Sequence, residues 1–493
     1  MILTRNSRTS IDIDLEVDQK IKAGMLNELL LIVPTNRKSR YLKKELISLS
    51  PGKSTNKINL ETIGTFSTKL LFDNSDASSK IISDAAASVL IKQSFQEVKL
   101  KYFSYYKKDV PTGTLDRIKN VISEYKKHGI TPKILLEESK SLNGSEKLKA
   151  DDIAAVFEKY QNKCDELGQK EIGDIYSKLL EIDQIEFEKK FRALYPDVDL
   201  VIINGFDEFT SPEIEIITRS ANVKNLELFI YFDYYNYNHL IFSYLDKCYD
   251  KFSAKGFKEI DDKSQVVFNE FQNTLRSKLF KPKTTDKVNR FEKDLIRLKA
   301  GDRVEEIELI AKETKELILN YNVEPDKICL AFNLIQNYSP IIRDVFANFG
   351  IPFNLTDRYS LSTSSIVIAL INFLEILEND FYYKNIFRSL SLNYLKIAQI
   401  DLSNLLKASV NLKGVSGYKN WVEKLNDALR QPTVYEDHER GISDRDREVY
   451  TKALNDIKKI FELLKPFARP LTISEFKEAF YDLIFSFKIP ALL

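Results

Sequence analysis

Residues 29–49 read LLLIVPTNRKSRYLKKELISL. Five consecutive apolar residues, Leu29 to Val33, offer no polar face, which is the pattern of a parallel strand covered on both sides. Pro34-Thr35-Asn36 breaks the run, and the residues that follow carry helical periodicity. The segment is therefore expected to form a strand, a short turn and a helix packed back on a sheet. The unit recurs. Val198 to Ile203 reads as a strand ending in Asn204-Gly205, Leu226 to Phe232 as another, and Lys327 to Phe332 as a strand before a helix from about Ser339. Strands alternating with helices imply an α/β sheet, in at least two separate stretches.

Between the strands the texture changes. Residues from about 80 to 195 are almost all helix-like: Ser83 opens Asp84-Ala85-Ala86-Ala87, and Asp151 to Leu167 repeat with a 3.6 period. Residues from about 361 onward are again mostly helical. The expected order is α/β, helical, α/β, α/β, helical. That order describes a sheet domain interrupted by an all-helical insertion, then a second sheet domain leading into helices.

Composition bounds the function. A chain of 493 residues carries a prior of three or four domains. The 73 Lys and Arg against 72 Asp and Glu exclude a generally basic nucleic-acid coat, so any DNA contact must come from local patches. Cysteines at 164, 248 and 329 lack metal-ligand spacing and cannot all pair, which argues against a disulfide scaffold or a Cys-ligated cluster. The start, MILTRNSRTSIDID, has no apolar signal-peptide core, and the apolar stretch Ile366 to Leu374 is broken by Asn372 and too short to cross a bilayer. A cytoplasmic protein with no membrane partner is expected. Neither Gly/Ser nor Pro linkers nor a fixed-period repeat stand out.

Phosphate binding is the first chemistry to test in such a sheet. Gly52-Lys53-Ser54-Thr55 has the ending of a phosphate loop, but the first glycine would fall at Ile47 and a strand, not a helix, is expected to follow. A solvated turn is the better reading. Arg5-Asn6-Ser7-Arg8-Thr9-Ser10 sits where a phosphate loop would precede the strand at 29–33, yet it has neither Gly nor Lys. After the strand at 198–203 come Asn204-Gly205-Phe206-Asp207-Glu208. Asp207 and Glu208 are weighed as metal ligands against a loop or capping role, which Ser211-Pro212 favours by starting a helix nearby.

Two aromatic stretches remain. KLKYFSYYKK, residues 99–108, interleaves basic and aromatic residues in a pattern suited to stacking and phosphate pairing on a single strand. With 24 Tyr and 31 Phe in the chain, a helical core with surface lysines is the favoured reading. The run Tyr231 to Tyr237 is likewise expected to pack. His128, His239 and His438 lie apart from any Ser or Cys in a nucleophile arrangement.

The segments LLLIVPTNRKSRYLKKEL, INLETIGTFSTKLL and DLVIINGFDEFTSPEIEII resemble the first helicase half of superfamily 1 proteins of the UvrD/RecB type. More narrowly they resemble the AddB/RexB subunits of bacterial helicase–nucleases, in which a strand followed by xGFxxFxPxx takes the place of the usual DExx box. AGDRVEEIELIAKETKELI, PDKICLAFNLIQNYSPIIRDVFANFGIPFNL and the helix from Ser362 to Leu377 follow the start of the second half. The matches keep their order from about residue 25 to 395. The resemblance implies an α/β fold of P-loop-NTPase-like (RecA-like) parallel-sheet domains with all-helical insertions, in a superfamily 1 helicase-like architecture. Residues 1–80 with 196–290 would form the first RecA-like domain (1A) and 81–195 its helical insertion (1B). Residues 291–385 would start the second (2A), and 386–493 a truncated helical insertion (2B).

Set against that family, the departures carry the information. The Walker A glycines and lysine are missing. Asn204 and Gly205 stand where the Walker B acids belong, so that Asn204, Gly205, Asp207 and Glu208 form a degenerate Walker B region. No Arg lies around Phe332-Asn333-Leu334, and Asp233 is at most a remnant of the third motif, without its Gln. Without cradle, magnesium ligand and arginine, no machinery for phosphoryl transfer remains. No catalytic residue, metal or cofactor is expected in this chain; ATP and magnesium belong to a partner motor of the AddA type. What such a half can still do is hold DNA, single-stranded or at duplex ends. Thr65 and Ser67 would bond phosphates, Phe66 would offer a stacking face, and Arg37, Lys38 and Arg40, with Lys43 and Lys44, would meet the backbone. The competing readings are a core Phe66 and a solvated helix face. The family's C-terminal nuclease and its four cluster cysteines have no counterpart after residue 400, so the resemblance covers an N-terminal portion only. The function implied is a non-motor, helicase-like DNA-binding subunit of an ATP-dependent helicase–nuclease that processes double-strand DNA ends for recombinational repair. An active helicase and a scaffold binding only its partner are the alternatives.

Overall fold

The computed structural model describes residues 1–55, 57–72, 80–106, 110–232, 234, 238–263, 268–281, 291, 295–357, 361, 364–391, 395, 400–433 and 441–487. The chain divides into two compact units, Met1–Ile296 and Arg297–Leu493.

The first unit is built on a seven-stranded sheet. Its strands are β1 (Ile2–Thr4), β2 (Ser10–Ile11), β3 (Leu29–Ile32), β4 (Asn59–Glu61), β5 (Leu200–Phe206), β6 (Glu227–Phe232) and β7 (Lys258–Asp262), in the spatial order β2-β7-β1-β6-β5-β3-β4. The four strands β4, β3, β5 and β6 are mutually parallel. Each central strand is covered on both sides, as its apolar run requires: Leu30 and Ile32 enter one core with Val201 and Ile203, while Leu29 and Leu31 enter another with Leu200 and Ile202. The helix Asn36–Leu49 caps the second face through Leu46, and the helices Ile63–Leu71 and Ser211–Ala221 cover the first.

One strand breaks the parallel pattern. β1 runs antiparallel to both neighbours, pairing Ile2 with Tyr231 and Thr4 with Phe229 on one side and Ile2 with Ile260 on the other. Its direction carries the loop after Thr4 to the amino-terminal edge of the parallel strands. There Arg8 pairs with Glu16 and Glu227 at 2.7 Å each, Arg5 donates to Asn222 Oδ1 at 2.7 Å, and Lys20 meets Glu28 and Asp199 at 2.7 and 2.8 Å.

The helical stretch predicted between the strands is present: Asp84–Glu97, Thr112–Lys127, Pro132–Ser139, Gly144–Glu166, Ile172–Glu181 and Gln184–Leu194. The first of these starts as read, with the Ser83 hydroxyl accepting from Ala86 N. The helices from 84 to 166 share their own core around Ile91, Phe95, Ile122, Phe157 and Tyr160. The last two bury Tyr176, Leu179, Phe187 and Phe191 against the sheet instead. Helix 172–181 crosses helix 112–127 at Gly173, where a β-carbon would fall 2.3 Å from the Lys126 carbonyl carbon, so only glycine permits the crossing.

The second unit departs from expectation. Lys327 to Phe332 is not a strand: Pro325–Lys327 is a single 3-10 turn, and the residues after it form no ladder with any described residue. Ile328 has extended backbone angles, but Cys329 is exposed and Leu330 is 37% exposed. An apolar run signals a wish for burial; a strand also needs neighbours to take its N–H and C=O groups, and none among the described residues does so. Helices Arg303–Asn320 and Ser339–Phe349 pack on each other through Ile307, Ala311, Ile342 and Phe346. The remaining helices, from Ser365–Glu378 to Ile473–Ser486, enclose a core centred on Phe373, Trp421, Ile457 and Ile460. Among the described residues no helix is long and apolar enough to cross a membrane.

Candidate nucleic-acid interface

The connection out of β3 runs one way across the sheet, to β4, while the connection out of β5 runs the other way, to β6. Helix 36–49 accordingly lies on one face and helix 211–221 on the other. Neighbouring strands whose exits diverge leave a crevice at their carboxyl ends, the usual binding place in open α/β sheets.

The sequence furnishes this crevice from both sides. After β3, Thr35 caps helix 36–49, its hydroxyl accepting from Lys38 N at 3.2 Å. Lys38 sits in the first turn of that helix and reaches across the gap to β5, placing Nζ 3.4 Å from Asn204 Oδ1. The register slips between Asn204 and Phe206, and Gly205 occupies this bulge with φ of +89°. A β-carbon at Gly205 would stand 2.0 Å from Lys38 Nζ and 3.1 Å from Cε. Position 205 therefore requires glycine for its φ, and Lys38 fills the space that a side chain would take.

Of the residues singled out in the sequence, the structure brings together Lys38, Asn204 and Gly205. Arg37 and Arg40 lie exposed on the same helix, with Lys43, Lys44 and the 66% exposed Tyr41. Asp207 and Glu208 are exposed just beyond β5, before the capping box in which Thr210 and Glu213 serve helix 211–221. Among the described residues no three His, Cys, Asp or Glu side chains stand together in a way that could hold a metal ion.

The 64–67 segment is placed differently. Thr65 belongs to a capping box with Thr62: its hydroxyl accepts from Thr62 N at 2.8 Å and lies 3.1 Å from the Thr62 carbonyl. Phe66 is 1% exposed and packs on Phe191 and Tyr195, with ring centroids at 6.2 and 6.1 Å. Ser67 is fully buried, and its hydroxyl finds no hydrogen-bond partner. Neither Phe66 nor Ser67 presents a surface to a strand in solution, so the core reading of Phe66 is the one the structure shows.

The loop 5–10 does not fit a nucleotide phosphate chain. It lacks the residues, and the antiparallel β1 delivers it to the edge opposite the crevice, where its arginines are committed to Glu16, Glu227 and Asn222. Gly52 and Lys53 form a left-handed turn, with φ of 68° and 52°, ahead of β4. Tyr231 and Tyr234 are held by Asp262 and Asp246 at 2.8 and 2.7 Å; Asp233 lies outside the described residues. The sequence reading missed the direction of β1, for which three residues of apolar character give no sign, and the partnership of Lys38 with position 205. A lone glycine at a strand end was the available signal for that partnership.

Residues 9–251 match the family model described as "ADDB, N-terminal". The chain is similar to the B subunit of the ATP-dependent helicase/deoxyribonuclease of Clostridium kluyveri (strain NBRC 12016), at 25% identity over 90% of this chain and 40% of that protein. Proteins of the same name from Clostridium botulinum (strain Langeland) and Thermoanaerobacter sp. (strain X514) are 22% and 21% identical, each over 96% of this chain and 42% of the relative. The chain thus spans about two fifths of the length of these curated relatives.

Proposed function

This chain is an AddB-type protein, and from that premise we propose that it serves as a non-motor, helicase-like DNA-binding subunit within a helicase–nuclease complex. Its substrate is DNA with a single-stranded portion, as at a processed double-strand end, and its work lies in the cytoplasm in recombinational repair. The motor, with its ATP and magnesium, resides in a partner subunit of the AddA type. The sheet of the first unit acts as the first RecA-like domain of a superfamily 1 arrangement, with residues 81–195 as its helical insertion, and residues 291–493 supply the start of a second domain with its own insertion.

The observation that carries this reading is the crevice between β3 and β5, where Lys38 replaces an open phosphate cradle and points a cation at Asn204 and Gly205. A working ATPase needs an acid at the end of β5 and a glycine-rich loop at the same edge. Here the acid positions hold Asn and Gly, and the loop lies at the other edge. A basic helix, Arg37 to Lys44, beside the crevice suits phosphate contact without hydrolysis.

The test is an ATPase assay of the purified chain with single-stranded DNA, run beside a binding assay over a salt series. The reading expects no turnover, and a DNA affinity that falls with salt and falls further in a combined Arg37→Ala and Arg40→Ala variant. Turnover that Lys53→Ala abolishes would instead establish an active motor. Affinity unmoved by the arginine changes would leave a scaffold that only binds its partner.

A further inference from the structure

The sequence 99–106, KLKYFSYY, does not form the helical core segment that its composition favours. Phe103–Tyr106 is a single 3-10 turn in the helical part of the first unit. The turn is fixed from below. The Asp152 carboxylate, 4% exposed, accepts from the backbone of Lys101 and of Phe103, each at 3.0 Å. Phe103 is driven into the core against Phe95, with ring centroids 5.7 Å apart. With Phe103 anchored, its neighbours are left outside: Tyr102 is 44% exposed and Tyr105 87%. Tyr105 meets Tyr106 edge-on at 5.8 Å, and Tyr106 lies parallel to Phe103 at 6.5 Å.

These rings line a cleft of about 690 Å³, open to solvent, that Arg117 and Lys149 line with them. Both cations are exposed, and neither has a carboxylate partner among the described residues. No acidic side chain among the described residues lines the cleft. Exposed tyrosines in one cleft with two cations that have no carboxylate partner among the described residues make the arrangement that takes a nucleobase by its face and its phosphate by charge.

We propose that this cleft binds unpaired bases of single-stranded DNA, Tyr102 and Tyr105 stacking on them while Arg117 and Lys149 hold adjacent phosphates. The assignment rests on the DNA-binding reading above but occupies a separate place, so the two stand or fall by different variants. The stack tolerates any base, because every base offers a π-face. The buried Asp152 keeps the turn in its binding shape before DNA arrives, so little ordering is lost on binding.

The experiment measures fluorescence anisotropy of a labelled oligothymidylate of about 15 nucleotides with the full chain. Tyr102→Ala with Tyr105→Ala is expected to weaken binding about tenfold or more, and Tyr102→Phe with Tyr105→Phe to retain it, because the ring and not the hydroxyl stacks. Arg117→Ala with Lys149→Ala is expected to flatten the log–log salt slope by about 1.4, the share of two single-strand phosphates. The substituted side chains all lie at the surface, and unchanged circular dichroism confirms folding. If wild type binds, the Arg37/Arg40 variant weakens it and the tyrosine and cation variants do not, this proposal is overturned and the broader reading stands. If the cleft variants weaken binding and the arginine variant does not, the cleft stands and the crevice loses its role. If the wild-type chain binds no oligonucleotide, both are overturned.

Discussion

Lys38 Nζ lies 3.4 Å from Asn204 Oδ1, and its side chain covers Gly205 so closely that a β-carbon there would fall 2.0 Å from the same nitrogen. Two penalties would meet a Gly205→Ala substitution. The clash is with the mobile end of a lysine, which can swing toward solvent at little cost. The φ of +89° cannot be escaped without undoing the bulge, and a non-glycine residue pays about 1–2 kcal/mol for a left-handed conformation. Gly205→Ala should therefore lower stability by roughly that amount, and by nearly the same amount in a Lys38→Ala background, as read by thermal melts in a double-mutant cycle. A cost that vanishes with Lys38→Ala would show that contact, not backbone, dictates glycine.

Ser67 and Phe66 separate packing from DNA contact. The Ser67 hydroxyl is buried without a partner, a state that costs about 1–3 kcal/mol of desolvation, so Ser67→Ala should leave stability unchanged or raise it. Phe66→Ala should cost about 3–5 kcal/mol by opening a cavity beside Phe191 and Tyr195. Neither should alter the DNA affinity of the folded protein. A tenfold loss of affinity in Ser67→Ala at unchanged stability would return that hydroxyl to the interface.

What the sequence revealed follows a physical line. The strands at 29–32, 200–206 and 227–232 were legible because burial on both faces writes itself as an unbroken apolar run. The helices from 84 to 194 were legible from periodicity and from the cap at Ser83, and the helix after β5 from Ser211-Pro212. Long-range pairing was not legible. Ile2–Thr4 shows nothing of its antiparallel direction, which its partners Phe229 and Tyr231 decide, and Lys327 to Phe332 reads like a strand but finds none to pair with among the described residues. At the candidate site the chemistry of Lys38 and the oddity of Gly205 were visible separately; that they meet is a property of the crossover between β3 and β5. The 102–106 turn escaped because its organiser, Asp152, lies some fifty residues away.

Trp421, the single tryptophan of the chain, donates Nε1–H to the Phe381 carbonyl at 2.9 Å in the core of the second unit. That bond holds a strained corner, since Asp380 and Phe381 have φ of 45° and 54°. Trp421→Phe keeps a ring in place but leaves the carbonyl unpaired, at about 1–3 kcal/mol before any loss of packing. The variant should melt several degrees lower by circular dichroism. An unchanged melting temperature would show that the corner is held by its other backbone bonds alone.

Lys126 gives the chain a dependence on alkaline pH. Its amine, 3% exposed, lies 2.9 Å from Asp174 Oδ2 and 3.0 Å from Glu171 Oε2, and 4.8 Å from the Tyr160 ring centroid. Burial alone would lower its pKa, but the two carboxylates outweigh burial and hold it above the ordinary 10.5. A cation whose folded pKa is raised contributes its full stabilisation below the unfolded value, and loses it as pH climbs through the folded one. Wild-type stability should thus hold to about pH 10.5 and decline beyond it. Lys126→Met removes the cation and strands two carboxylates between helices 112–127 and 172–181, which should cost about 3–5 kcal/mol at neutral pH. The variant should then show a shallower alkaline decline than wild type, because one titrating contribution has gone. Melting curves of both proteins from pH 8 to about 12 decide it. Parallel declines would mean that other lysines and tyrosines, not this buried cation and its pair of acids, set the alkaline limit.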